Sequence, residues 1–246
     1  MRRDFHALVL ALVGGTLFKL AWTGQYDRYV KVAMRPYLFA AAVILLAVAA
    51  VSLWSALTRS QPSPSQHLDH EHEQGHGHGH GGLDVAWLLV LPMIVLLLIA
   101  PPALGSYSAG RSGTALNTAT ASDYPPLPAG DPVRISVLDY ASRAVFEHGQ
   151  SLTGRHLTLS GFLLSNDKGG GWYLTRMVIT CCAADAQPIK VGLAGPLPTG
   201  LHTNDWLQVT GSYIDRRDTD PVNRQAIPYL SVATATAIPA PAQQYD

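Results

Sequence analysis

The stretch from Pro36 to Leu57 (PYLFAAAVILLAVAAVSLWSAL) contains no charged residue. About 20 consecutive apolar residues suffice for an α-helix to cross a bilayer core, where each backbone N–H and C=O must be paired within the segment. The stretch is therefore predicted to be a membrane span, with Tyr37 and Trp54 placed for the interfacial belts. A shorter apolar run, from about His6 to Trp22, precedes it and carries Lys19. A lysine near the end of a span can lay its stem on apolar surface and send its ammonium to the headgroups. A signal peptide is the alternative, because Arg2 and Arg3 precede the run. No small-residue cleavage site follows Lys19, however. A third run, from Leu83 to Leu104, contains Pro92, which is expected to kink it, and Pro101-Pro102, which end it. The expectation is three spans: two helices with a short loop in residues 1–58, and a third helix in residues 83–104. Only 14% of the chain is charged, against roughly 25% in soluble domains. The apolar excess sits in the first 105 residues, so a soluble domain is expected after them.

Three spans place the segment between spans two and three on the opposite side from the C-terminal domain. Arg2, Arg3 and Arg59 favour a cytoplasmic N-terminus, whereas Arg28, Lys31 and Arg35 in the first loop favour the reverse. The Ser/Thr/Ala/Pro-rich stretch after span three, with only Arg111 and Asp123 charged up to Gly130, reads as an extracytoplasmic tether. The expectation is a multi-pass protein of the cell membrane with an exported C-terminal domain.

Residues 59–82 form a linker that holds six of the ten histidines: His67, His70, His72, His76, His78 and His80. Asp69, Glu71 and Glu73 lie among them, and glycines separate the last three. Neutral imidazole suits zinc, copper and nickel, so a tract of this composition reads as a metal collector. A tight tetrahedral site needs fixed geometry and supporting hydrogen bonds. A Gly-spaced tract lacks both, so several exchangeable, low-specificity sites are expected, with zinc the leading cation. The bland alternative is a hydrophilic linker enriched in histidine.

After a flexible tether (residues 105–130), residues 131–240 read as one β-domain. Val133–Val137 alternates like a strand, and Tyr140–Leu152 reads as a short helix with Asp139 as its N-cap. Strands are predicted at His156–Leu164, Trp172–Cys181, Ile189–Leu193, Trp206–Ile214 and Ile227–Ala237, with a hairpin turn at residues 166–171. Five strands after a helix fit a small OB-like Greek-key barrel, with a β-sandwich as the alternative. Gly161 and Gly211 mark bulges or tight bends. Asp215, Arg216, Arg217, Asp218 and Asp220 read as a solvated mixed-charge loop. From Ser112 onward there are nine Lys and Arg against eleven Asp and Glu. That balance argues against nucleic acid as a partner, since such binding needs a basic groove.

The only cysteines, Cys181 and Cys182, are adjacent, so no disulfide framework is expected. Period-two alternation places Cys181 with Met177 and Ile179 towards the core, and Cys182 on the face of Arg176, which would favour its thiolate. With Asp185, the pair is a candidate site for zinc or a softer metal. A thiol redox pair and a nucleophilic cysteine served by His148, His156 or His202 are the competing chemistries. A vicinal disulfide is opposed by the Cα spacing of about 3.8 Å. Free cysteines that merely fill a core are the bland reading.

The spans, the loop with Gly24 and Tyr29, the His-rich linker and the element Arg176-x-x-Ile179-x-Cys181-Cys182-Ala183-Ala184-Asp185-Ala186, followed by Trp206 and Gly211, together resemble a family. It is an uncharacterised family of bacterial membrane proteins described as permease subunits. The resemblance implies a non-enzymatic accessory subunit beside a larger multi-span permease partner and leaves the cargo open. Residues and resemblance together lead to divalent-metal handling as the expected function. A membrane-anchored thiol redox protein and a purely structural assembly partner are the alternatives.

Overall fold

The computed structural model describes residues 2–58, 103–116, 124–166 and 170–246, together with positions 91, 94, 95 and 98. The His-rich segment 67–80 and most of the expected third span lie outside the described residues. The chain divides into two units, Met1–Tyr26 with Val32–Pro101 and Asp27–Lys31 with Pro102–Asp246.

In the first unit, helix α1 spans Arg2–Thr23 and α2 spans Arg35–Thr58. Phe18 meets Phe39 edge-on at 5.8 Å, and Leu46 packs over Gly14 further along, so the pair runs antiparallel. A Cβ on Gly14 would lie 3.0 Å from Leu46 Cγ. Small buried residues (Ala7, Ala21, Ala42 and Ala49) likewise let the helices approach closely, as apolar helices without a hydrophobic drive between them require. The large residues of α2, among them Val43, Ile44, Val48, Val51 and Leu57, face outward. Among the described residues, one segment, Val32–Ser55, is long and apolar enough to cross a membrane; Ala7–Thr23 is a shorter apolar helix.

The second unit is built on a five-stranded barrel with one short extra strand. The strands are β1 (Val133–Arg134), β2 (His156–Ser165), β3 (Trp172–Val178), β4 (Gln187–Ala194), β5 (Trp206–Thr219) and β6 (Ala226–Ile238). The order is β1-β2-β3-β4-β6-β5, and β2 also pairs with β5, which closes the ring. Within the ring β4 and β6 run parallel and the other pairs antiparallel, while β1 extends the start of β2 in parallel. The arrangement is consistent with the expected OB-like barrel. Leu157, Leu159, Leu163, Leu174, Ile189, Val191, Leu207, Val209 and Leu230 fill its core. Strand β2 pairs with β5 from His156 but with β3 only from Phe162 onward. Gly161 sits where that split occurs, and a Cβ there would lie 2.6 Å from the Thr175 carbonyl oxygen. Gly211 marks a register shift between β5 and β6.

Helix α3 spans Ser106–Arg111 and α4 spans Val137–Phe146. The N-cap of α4 is Ser136 and not Asp139: its hydroxyl accepts from the Asp139 N–H at 2.9 Å. The cap starts the helix three residues earlier than predicted, and Tyr140, fully buried, donates its hydroxyl to the Tyr229 carbonyl at 2.6 Å.

Three boundaries are corrected. Strand β5 runs to Thr219, through the charged residues expected as a loop, because Asp218 accepts from the Tyr229 hydroxyl and Arg217 donates to the Ala144 carbonyl at 2.8 Å. The described parts of the expected tether are fixed to the barrel. Leu116 is buried in the core, the Ala115 N–H bonds the Pro188 carbonyl, and Arg143 and Arg155 hold the Pro125 and Pro128 carbonyls. Below Thr114 lies a buried ion pair, Lys190 Nζ to Asp220 at 2.9 Å. The domain also extends past residue 240. Tyr245 is buried with Ala109, Phe162, Met177 and Ile179 in a second apolar cluster. Asp246 pairs with Arg176 at 2.9 Å and accepts from the Val137 N–H.

Candidate metal centre

Cys181, Cys182 and Asp185 lie on the connection from β3 to β4. The strand pairing ends at Val178 opposite Gln187, and Ile179 is still buried in the second cluster. From Thr180 the chain leaves the sheet, so the alternation that pointed Cys181 into the core stops short of it. Cys181 is exposed and Cys182 half-buried. The turn closes on Asp185, whose carboxylate accepts from the Thr180 N–H at 3.0 Å and the Cys181 N–H at 2.8 Å. This is the local side-chain-to-backbone bonding that lets Asp organise tight turns.

The other edge of the turn is held by the segment between α1 and α2. Val30 forms an antiparallel bridge with Cys182. The Lys31 N–H bonds the Cys181 carbonyl at 3.1 Å, and the Ala183 N–H bonds the Tyr29 carbonyl at 2.6 Å. The C-terminal tail locks this segment in turn. The Tyr245 hydroxyl donates to the Arg28 carbonyl and accepts from the Leu104 N–H, each at 3.0 Å.

The ligand atoms of Cys181, Cys182 and Asp185 all lie within 4.8 Å of one another. The two sulfurs are 3.7 Å apart. That is far beyond the roughly 2.05 Å of a disulfide. It matches the edge of about 3.8 Å that two thiolates span on a tetrahedral zinc with Zn–S near 2.3 Å. The Asp185 carboxylate, as acceptor of the Cys181 thiol, and the neighbouring Cys182 thiol push Cys181 up to about 11. The same thiol and the backbone N–H groups of Cys181 and Thr180 hold Asp185 below the usual carboxylate range.

Arg176, expected beside Cys182, is engaged at the C-terminal tail. It pairs with Asp246, donates to the Gln243 carbonyl at 3.3 Å and stacks over Trp206 at 5.1 Å. The candidate histidine bases are engaged elsewhere: His156 with Asp131, His202 with Asp205 and His148 with Arg217. Among the described residues none of them joins the cysteines. A depressed thiol pKa beside a base or cation, which nucleophilic or redox cysteine chemistry uses, is not found at Cys181.

Two parts of the site escaped the sequence reading. Tyr29-Val30-Lys31 is too short a run to read as a strand, and only Val30 forms a bridge. The tail Tyr245-Asp246 follows a Pro/Ala/Gln stretch and carries no local signal at all.

Residues 5–115 match the family model described as the DUF1980 N-terminal domain, and residues 134–245 match the DUF1980 C-terminal domain. The first match includes the Val30 segment and the second reaches Tyr245. No curated protein and no solved structure matches the chain.

Proposed function

We propose that this chain, which belongs to the DUF1980 family through both of its domains, is a non-enzymatic accessory subunit of a membrane permease. On this reading its barrel binds one zinc-like divalent cation through Cys181, Cys182 and Asp185. The observation that carries the reading is the convergence of two sulfurs and a carboxylate within 4.8 Å on a turn pinned from both sides. Borderline-soft cations favour this donor set. Three spans are too few for a transporter built from internal repeats, so a larger multi-span partner is expected to carry the cargo.

The segment Asp27–Lys31, which bridges to Cys182 through Val30, supports the three-span topology. It belongs to the same unit as the barrel, yet one 3-10 turn, Val32–Met34, is all that separates it from α2. If α2 crosses the bilayer, the chain has to cross back before Pro102, and the apolar residues 83–104 are the stretch able to do so. The histidines His67 to His80 then face the opposite compartment, as a loose collector, while the cysteine centre faces the one into which the barrel projects. Single cysteines introduced at Ser63 and Thr199, with Cys181 and Cys182 replaced by serine, test this with an impermeant thiol reagent on intact cells. One of the two positions is expected to react and the other to stay protected. Labelling of both from the same side contradicts the topology.

The metal half is tested on the full chain in detergent, with the six loop histidines replaced by asparagine so that only the barrel centre remains. Calorimetric titration with zinc is expected to show one equivalent bound per chain. Absence of any saturable zinc binding rejects the reading.

A further inference from the structure

We propose that the Cys181–Cys182–Asp185 centre is an exchange site, whose fourth coordination position is filled from outside the chain by an imidazole of the protein that brings or takes the ion. The inference rests on the metal reading above and adds to it how the ion enters and leaves.

Ligand count comes first. Structural zinc sites are four-coordinate with all ligands from the protein, whereas sites with three protein ligands keep a position for an exogenous donor. Among the described residues this group contains three donors and no further His, Cys, Asp or Glu.

Placement comes next. The backbone of residues 29–31 runs along one edge of the turn, and Met177 and Ile179, just before it in the chain, are buried in the second apolar cluster. Cys181 remains exposed and Asp185 half-buried. A donor on another molecule can therefore approach the ion from the Cys181 side.

The turn also needs no ion to hold its shape. Asp185 already closes it through two backbone N–H groups, and the Cys181 carbonyl and the Ala183 N–H are paired to the Lys31 and Tyr29 backbone. A structural zinc, by contrast, supplies folding free energy that the apo chain lacks. Here the ion is cargo on a preformed turn.

Charge selects the donor. Binding a divalent cation releases the two thiol protons, and two thiolates with one carboxylate leave the complex at net −1. Neutral imidazole can replace the water in the fourth position without adding charge or moving a proton. A further thiolate or carboxylate would bring the complex to −2, and among the described residues no Lys or Arg is ion-paired to Asp185 to offset it; Arg176, the arginine of β3, is engaged by Asp246.

The test uses the full chain with the six loop histidines replaced, loaded with cobalt(II) as a spectroscopic stand-in for zinc. A sulfur-to-cobalt charge-transfer band is expected that weakens in Cys182→Ser and disappears when Cys181 and Cys182 are both replaced by serine, with circular dichroism unchanged by either substitution. Free imidazole should then shift the visible cobalt bands saturably, one imidazole per cobalt, leaving the charge-transfer band in place. A cysteine-dependent band whose visible spectrum is indifferent to imidazole shows a coordinatively closed site; it overturns the exchange proposal and leaves the metal reading standing. No cysteine-dependent band at all overturns the metal reading, and the exchange proposal with it.

Discussion

Replacing Asp220 with asparagine is expected to destabilise the C-terminal domain by about 3–5 kcal/mol, the usual effect of removing one partner from a buried ion pair. Asp220 is fully buried and the Lys190 side chain nearly so. One carboxylate oxygen accepts from Lys190 Nζ at 2.9 Å and the Thr114 N–H at 2.9 Å, and the other from the Val222 N–H at 2.8 Å. The ammonium also donates to the Ser112 carbonyl at 2.8 Å. An amide of the same shape keeps some of these bonds but strands a buried ammonium without its counter-charge.

The pair also gives a pH signature. Burial alone would push the Asp220 carboxyl up, but the Lys190 ammonium and the Val222 and Thr114 N–H groups outweigh it, so the native carboxyl titrates below its ordinary value. A carboxyl depressed in the native state contributes stability above its unfolded pKa of about 3.9, and loses it as the pH falls through the lower native value. Urea titrations of the full chain in detergent, followed by tryptophan fluorescence, should show the full gap between native and Asp220→Asn proteins at pH 7. The gap should narrow below about pH 4. A gap under about 1 kcal/mol at pH 7 would mean that the pair contributes no more than an exposed one.

The second large effect is expected at the metal centre. Replacing Cys181 and Cys182 together by serine should weaken zinc binding by on the order of 10⁴-fold. Structural zinc sites bind with about 10–16 kcal/mol, so each of four ligands contributes roughly 3 kcal/mol, and two thiolates about 6. The apo domain should stay within about 0.5 kcal/mol of the parent, the usual range for surface substitutions, because neither thiol fills a core. The backbone bonds to Tyr29 and Lys31 do not involve the side chains. This split between affinity and stability separates a binding role from a packing role. Asp185→Asn cannot make that separation, since Asp185 also closes the turn. Calorimetry on the loop-histidine variant measures the affinity, and urea titration the stability.

Much of the barrel was legible because its strands alternate and glycine-rich turns punctuate them. All five ring strands appear at the expected places, and β4 grows only from Ile189–Leu193 to Gln187–Ala194. The far end of β5 was not legible. Asp215, Arg216, Arg217 and Asp218 look solvated in isolation, but Arg216 stacks over the Tyr229 ring at 4.0 Å and Arg217 reaches the Ala144 carbonyl. Those partners lie on β6 and α4, beyond the reach of local pattern. The N-cap was misplaced for a nearer reason. Ser136 and Asp139 are both good caps, and the Ser136 hydroxyl on the Asp139 N–H decides between them.

At the site, chemistry was legible and geometry was not. Cys181, Cys182 and Asp185 are close in sequence, so their donor set could be read directly. The direction of the thiols depended on where β3 ends, and that is set by the register of β3 against β4 and by the Met177–Ile179 contacts with Tyr245. The bridge from Val30 to Cys182 and the Tyr245 bonds to Arg28 and Leu104 join segments far apart in the chain. Pairings of that kind carry no local sequence signal.

Zinc K-edge X-ray absorption on the full chain with the loop histidines replaced tests the metal centre most directly. The expected spectrum has two sulfur scatterers at about 2.3 Å and one or two oxygen or nitrogen scatterers at about 2.0–2.2 Å. A zinc shell made only of oxygen and nitrogen would contradict the cysteine centre.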